Sequence, residues 1–136
     1  MRVRSSLPLL AVALALSACA SFGGPATLES SVVLGPGGRA EGHIAAPAGV
    51  VTEIELENKG PGRADYVIRT ADGRQLATGA LHEAEVEVPP GAATVVTVVL
   101  EAYDDAGTTV EYEVETPGGV SVEWDLSRAF KKVGAK

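Results

Sequence analysis

Turn-forming sequences rich in Gly, Pro, Asn and Asp recur at short intervals along this chain, and they limit the length of every regular element between them. They lie at residues 35–38, 47–49, 58–62, 72–73, 89–91, 104–107 and 117–119. Runs of this length suit strands, whereas a helix packed on a core needs about ten residues or more. We therefore predict an all-β domain, a sandwich of about seven to nine antiparallel strands with little helix.

Several of these runs alternate apolar with acidic or polar residues, as strands with one buried face do. Three of them carry glutamate triplets at two-residue spacing, namely Glu53, Glu55 and Glu57; Glu83, Glu85 and Glu87; and Glu111, Glu113 and Glu115. Because like charges placed opposite one another weaken strand pairing, we expect the triplets to lie apart or to have positive charge between them. We interpret them as a solvated face that blocks edge pairing, and a calcium or cationic-polymer site is the alternative.

Three further patterns predict particular elements. Residues 94–100 are apolar on both sides, which favours a central, protected strand. The Asp72-Gly73 pair between two strand-like runs predicts a tight hairpin, because glycine supplies the positive φ that such turns need. Ser127 is suited to cap a short helix that would contain Ala129, Phe130 and Val133.

Residues 54–100 combine an alternating strand, the Asn58-Lys59-Gly60 turn, the Asp-Gly hairpin and Pro89-Pro90-Gly91 before a Val/Thr-rich strand. In this order of strands and turns the segment resembles immunoglobulin-like modules of bacterial surface and adhesion-associated proteins. The resemblance implies an immunoglobulin-like β-sandwich. It contains no binding motif, so it bears on fold far more than on function.

The start of the chain has the pattern of an export signal. Arg2 and Arg4 precede an apolar run at residues 7–16, which is too short to span a bilayer and ends in Leu16-Ser17-Ala18-Cys19,. This sequence resembles the lipobox of bacterial lipoproteins, which implies a diacylglyceryl group on the Cys19 thiol, cleavage before Cys19 and acylation of its new amino group. An ordinary secretory signal cleaved near Ala18-Cys19-Ala20 is the alternative.

The lipobox resemblance divides the chain and predicts its location. We expect a signal peptide at 1–18, a lipidated N-terminus and tether at 19–26, a β-sandwich at 27–126 and a basic C-terminal tail at 127–136. Cys19 is the single cysteine, so no intramolecular disulfide can form,. Ala20 stands where the family's inner-membrane retention signal has Asp, which implies an anchor in the outer membrane, facing the periplasm.

Charge restricts the class of partner. The formal net charge is −7, which argues against binding to nucleic acid,. Four of the cations lie in the last nine residues, at Arg128, Lys131, Lys132 and Lys136. We interpret this segment as a solvated terminus, and contact with anionic lipid or cell-wall polymer is the alternative.

Few residues suit catalysis. His43 and His82 are the only histidines, and neither lies in a zinc-binding spacing,. By alternation we expect both to lie at the edge of the core. The chain also has no nucleophile elbow and no phosphate-binding glycine loop, so we predict no enzymatic activity, no catalytic residue, no metal site and no cofactor.

Other polar and aromatic residues have structural interpretations. Asp104 and Asp105 suit a turn, although a turn is also where calcium ligands converge,. Tyr66, Tyr112 and Trp124 alternate with acidic neighbours and should face the core rather than form a sugar-stacking platform.

The sequence therefore predicts a lipid-anchored envelope protein, joined to the membrane through Cys19. Its sandwich would be a non-enzymatic interaction or assembly module with an envelope protein as partner. The alternative is a surface module that binds calcium or a glycan.

Overall fold

The structure, a computed structural model, describes residues 25–130 and contains nine strands within them. The strands are β1 (Pro25–Leu34), β2 (Arg39–Ala46), β3 (Thr52–Asn58), β4 (Ala64–Thr70), β5 (Gln75–Ala80), β6 (Glu83–Val88), β7 (Thr94–Ala102), β8 (Thr108–Pro117) and β9 (Val122–Asp125). Among these residues the structure contains no helix, and so none with the length and apolar character that a bilayer crossing requires.

Outside the described residues lie Cys19, the predicted signal peptide at 1–18, most of the predicted tether at 19–26 and the last six residues of the predicted tail.

The strands form two antiparallel sheets. One has four strands in the order β1-β8-β3-β6, and the other has five in the order β5-β4-β7-β2-β9. The predicted all-β sandwich, with its antiparallel strands and their number, is confirmed.

The strand order within the sheets is not that of an immunoglobulin domain. The chain pairs β1 with β8, β2 with β7, β3 with β6 and β4 with β5, like one long hairpin rolled up. Every connection except the β4–β5 hairpin passes from one sheet to the other. This nested pairing is the topology of a jelly roll, with β9 added beside β2.

Alternation along each strand builds the core between the sheets. In β3 the side chains of Ile54 and Leu56 point inward and are buried, while the intervening glutamates point outward. In β7, Val96, Val98 and Leu100 have no exposed surface. This strand lies at the centre of the five-stranded sheet, as predicted, although Val95 on its outer face is 44% exposed.

The β4–β5 hairpin forms as the Asp72-Gly73 pair predicts. Gly73 has φ +89°, and its backbone N–H donates to the carbonyl of Thr70 at 2.9 Å. The Asp72 carboxylate accepts hydrogen bonds from the Thr70 hydroxyl and from the Arg74 backbone N–H. The Thr70 hydrogen bond is the main cause that lowers the pKa of Asp72 below its ordinary value,.

Residues 127–130 form no helix and pack against the sandwich instead. The N–H of Gly35 donates to the carbonyl of Ala129 at 2.9 Å, and the N–H of Arg39 donates to the carbonyl of Arg128 at 2.8 Å. Ala129 is 6% exposed and belongs to the core. Backbone pairing with two other segments therefore replaces the helix predicted from Ser127, while Val133 lies outside the described residues.

The strands run between two ends of the sandwich. At the N-terminal end lie the start of β1 and the loops at 47–51, 71–74, 89–93 and 118–121. At the C-terminal end lie the loops at 35–38, 59–63, 81–82 and 103–107 and the segment 126–130. β1 spans ten residues, so about 30 Å separates the two ends,.

Candidate functional site: an acidic sheet face

The three glutamate triplets come together on one face of the four-stranded sheet. Strand β3 lies between β6 and β8, and each of these strands carries one triplet. Their apolar residues turn toward the other sheet, so period-two alternation directs all nine glutamates to the outer face,. The triplets therefore do not lie apart, and the three strands themselves contain no lysine or arginine.

The pairing register places the glutamates directly opposite one another in three rows. Following the order β6, β3, β8 and β1, the rows are Glu87, Glu53 and Glu115; Glu85, Glu55, Glu113 and Glu29; and Glu83, Glu57 and Glu111. We call these ten residues the acidic face. Directly opposed Cβ atoms in an antiparallel sheet are about 5 Å apart, so the three-by-three array covers about 10 by 14 Å.

A depression of about 770 Å³ lies over the second and third rows. Its walls include Glu57, Glu83 and Glu111 of the third row, together with Ser30 and Ser31 of β1. Glu113 is the most enclosed of the acidic residues and is 8% exposed. At the margin, the Lys59 ammonium lies 3.6 Å from a carboxylate oxygen of Glu57.

This arrangement weakens the pairing of the strands that carry it. Each directly opposed pair of like charges costs a few tenths of a kcal/mol, up to about 1 kcal/mol. Row one alone contains two such pairs, because Glu53 opposes both Glu87 and Glu115. The acidic face can attract a cation-rich surface.

The two histidines lie outside the core, contrary to the prediction. His43 is exposed on the outer face of β2, because Gly42 and Ile44 occupy the inward positions, and its Nδ1 lies 3.5 Å from Thr97 Oγ1. His82 is exposed because it lies in the short link between β5 and β6, where the alternation of β6 does not extend.

The turn that holds Asp104 and Asp105 is confirmed, and both residues are exposed. Beside it, the hydroxyl of Tyr103 donates to Asp65 Oδ1 at 2.9 Å, which is the main cause that raises the pKa of Tyr103. The Arg63 guanidinium lies over the Tyr103 ring, 4.6 Å from its centre,. Within residues 25–130, no group of three or more His, Cys, Asp or Glu residues has the geometry to hold a metal ion.

Three aromatic residues face the interior, as predicted. Tyr112 is buried, and its ring lies 5.3 Å from that of Trp124 at an angle of 55°. Tyr66 and Trp124 are partly buried against the core. All three rings therefore pack on the core.

Sequence reasoning identified nine of the ten residues of the acidic face but not their assembly. Glu29 has no triplet of its own, and it joins the face only because β1 pairs with β8. All three runs place their glutamates two residues apart. This shared spacing was the sequence signal for adjacent strands whose glutamates pair in register.

No protein-family model matches this chain, and no curated protein matches it. Among solved structures, it is similar to procruciferin, an 11S globulin from Brassica napus, with a TM-score of 0.41 and 16% identity over 79% of this chain and 24% of that one. It is also similar to a structure of infectious bursal disease virus Gx strain, with a TM-score of 0.30 and 14% identity over 76% of this chain and 36% of that one. The chain thus spans about a quarter of the procruciferin chain, and similarities this weak carry no argument about function.

Proposed function

We propose that this chain is a lipid-anchored protein of the bacterial cell envelope, held by Cys19 in the outer membrane and facing the periplasm. Its jelly-roll domain is an interaction or assembly module without an enzymatic activity of its own. The acidic face binds a cation-rich surface of an envelope protein.

The single observation that carries the interaction is the register that stacks the glutamates in rows. If these charges served only solubility, the outer face of the sheet could carry acidic and basic residues together, and strand pairing would not be weakened. Here like charges face one another directly in the first row (Glu87, Glu53 and Glu115) and in the third (Glu83, Glu57 and Glu111). A basic partner would offset this repulsion, so binding gives a physical reason for an arrangement that lowers the stability of the free domain.

The chemistry of the partner follows from the geometry. Lysine and arginine side chains on a protein surface could enter the depression over the second and third rows and pair with several carboxylates at once. Such complementarity raises the association rate and the specificity, and salt weakens it because the charges are near the surface. A short tether would keep the domain beside the membrane, where an envelope partner would meet it.

The lipid anchor rests on Leu16-Ser17-Ala18-Cys19 and is tested separately. Intact-mass spectrometry of the membrane-extracted protein should show a chain that begins at Cys19 and carries diacylglyceryl and acyl groups. Cys19→Ser should prevent cleavage by the lipoprotein pathway and remove the protein from the detergent-extractable membrane fraction. Unchanged membrane association of the variant would contradict lipidation.

The acidic face is tested by neutralising the third row. The triple variant Glu57→Gln, Glu83→Gln and Glu111→Gln removes three charges from the depression. Its matched control, Glu101→Gln, Asp105→Asn and Glu123→Gln, removes three exposed charges elsewhere. After gentle extraction from native membranes, a protein that co-purifies at near-equal stoichiometry with the wild type should be lost from the row variant and kept by the control.

The outcomes separate the hypotheses. A partner retained by the row variant would contradict a role for the acidic face. A wild-type protein with no stoichiometric partner would contradict the interaction module, and a rise of the wild-type melting temperature in calcium or in a soluble glycan would then favour the ligand-binding alternative.

A further inference from the structure

The loops at the N-terminal end of the sandwich carry almost no charge. Of residues 47–51, 71–74, 89–93 and 118–121, only Asp72 and Arg74 are charged, and these two have opposite signs within one hairpin. The other three loops consist of Pro, Gly, Ala, Val and Ser. The loops at the C-terminal end differ, since they hold Lys59, Arg63, Asp104, Asp105 and Arg128.

The neutral loops form an exposed and connected surface. Residues 47–49 and 89–93 are exposed, and Val51 is 36% exposed. The backbone N–H of Gly49 donates to the carbonyl of Gly91 at 2.9 Å, which joins the β2–β3 loop to the β6–β7 loop. Prolines at positions 47, 89 and 90 restrict both loops further,. The loops at this end of the domain therefore form a restrained surface of small and apolar groups, and the first row of the acidic face (Glu53, Glu87 and Glu115) begins beside them on one side.

The chain enters the domain at this same end. β1 begins at Pro25, opposite Pro117 of β8, and only five residues lie between Cys19 and Pro25. The six Cα–Cα steps from Cys19 to Pro25 span at most about 20 Å when fully extended. If Cys19 carries the lipid, the neutral end is the part of the domain that the tether holds nearest to the bilayer.

From these observations we infer that the neutral N-terminal end rests on the lipid headgroups. The strands then run away from the membrane surface, and the acidic face lies on the side of the domain. The inference rests on the proposed lipid anchor. A net-negative domain is repelled by anionic headgroups, and a surface of small uncharged groups approaches them at the lowest electrostatic and desolvation cost.

This orientation also determines which parts remain accessible. The acidic face lies along the side of the sandwich, where a partner in the same membrane can reach it. The C-terminal end, from which the basic tail continues, lies about 30 Å farther from the lipid,.

The test uses single thiols on the mature lipidated protein in vesicles of phosphatidylcholine and phosphatidylglycerol. Because lipidation consumes the Cys19 thiol, Ala92→Cys at the N-terminal end or Asp105→Cys at the C-terminal end provides the only reactive cysteine for a fluorophore. Spin-labelled headgroups should quench the Ala92→Cys label several-fold more than the Asp105→Cys label. Equal quenching, or stronger quenching at the C-terminal end, would overturn the inference.

A charged variant tests the reason for the orientation. Ala48→Glu with Val51→Glu places two anions on the neutral surface and should reduce quenching of the Ala92→Cys label in anionic vesicles. Unchanged quenching would overturn the electrostatic argument. Flotation of the vesicles is measured first, because protein that fails to float contradicts the lipid anchor, whereas protein that floats without a quenching difference contradicts only the orientation.

Discussion

Val98 lies in the middle of β7 and has no exposed surface, whereas Val95 on the opposite face of the same strand is 44% exposed. The two residues share a type, a strand and a similar backbone environment. They differ in whether the side chain contacts the core or water, and that difference determines what a substitution costs.

Val98→Asp should unfold the domain. An unpaired carboxylate in the core costs more than about 4 kcal/mol, a large part of the ~5–15 kcal/mol that stabilises a typical domain. Circular dichroism and thermal melting would measure the loss. Val95→Asp is the control, and it should stay folded with a small change in melting temperature. A well-folded Val98→Asp protein would show that the core lies elsewhere.

Gly42 shows how a single residue can direct its neighbour. A Cβ built on Gly42 would lie 2.8 Å from the Trp124 ring, so the ring occupies the space that a side chain would need. Gly42 therefore fills an inward position without a side chain. Because neighbouring residues of a strand point to opposite faces, His43 points outward,. The sequence gives little sign of this, since glycine has no apolar side chain that would mark position 42 as part of the core.

At the scale of elements, the β4–β5 hairpin depends on an ionised Asp72. Because hydrogen bonding lowers its folded-state pKa, the carboxylate contributes stability above its ordinary pKa of about 4 and loses it as the pH falls through the lower, folded-state value,. Asp72→Ala should therefore lower the melting temperature at pH 7, and the difference from the wild type should shrink in strongly acidic buffer. A difference that does not change with pH would contradict this account of the turn.

The rows of the acidic face should lower the stability of the free protein. Glu53 opposes Glu87 on one side and Glu115 on the other. Glu53→Gln should stabilise the domain by about 0.2–1 kcal/mol per opposed pair, which raises the melting temperature by a few degrees. The gain should shrink in about 1 M NaCl, where screening already weakens the repulsion.

Glu123→Gln is the matched control for this effect. Glu123 lies on the edge strand β9 opposite His43 and opposes no acidic residue, so its neutralisation removes no like-charge pair and should not stabilise the protein. A Glu53→Gln variant that is less stable than the wild type in low salt would show that repulsion between the glutamates does not destabilise the domain.

At the scale of the whole molecule, residues 127–130 close the C-terminal end of the sandwich. Deletion of 127–136 removes the carbonyls of Arg128 and Ala129 that pair with Arg39 and Gly35, and it also removes the buried side chain of Ala129. Deletion of 131–136 leaves these contacts in place. The longer deletion should therefore lower the melting temperature well below that of the shorter one, and equal temperatures would contradict a structural role for this segment.

The jelly-roll winding joins residues that are far apart in the chain. β1 pairs with β8 and β2 pairs with β7, so strands from opposite ends of the sequence lie side by side. Turn chemistry acts over a few residues and could predict the β4–β5 hairpin, the one connection between neighbours within a sheet,. Every other pairing depends on which buried faces match, and that is a property of the complete domain.

The amino-acid sequence determined by itself which residues form strands, where the turns lie and which side of each strand is acidic, because period-two alternation and turn preferences are local. The lipobox resemblance at Cys19 is likewise a feature of the sequence alone. Only the tertiary structure decided that the glutamates of β3, β6 and β8 stand in rows, that Glu29 joins them and that the uncharged loops gather where the tether enters. Strand order and register arise from burying all the apolar faces at once, and no local pattern encodes that requirement.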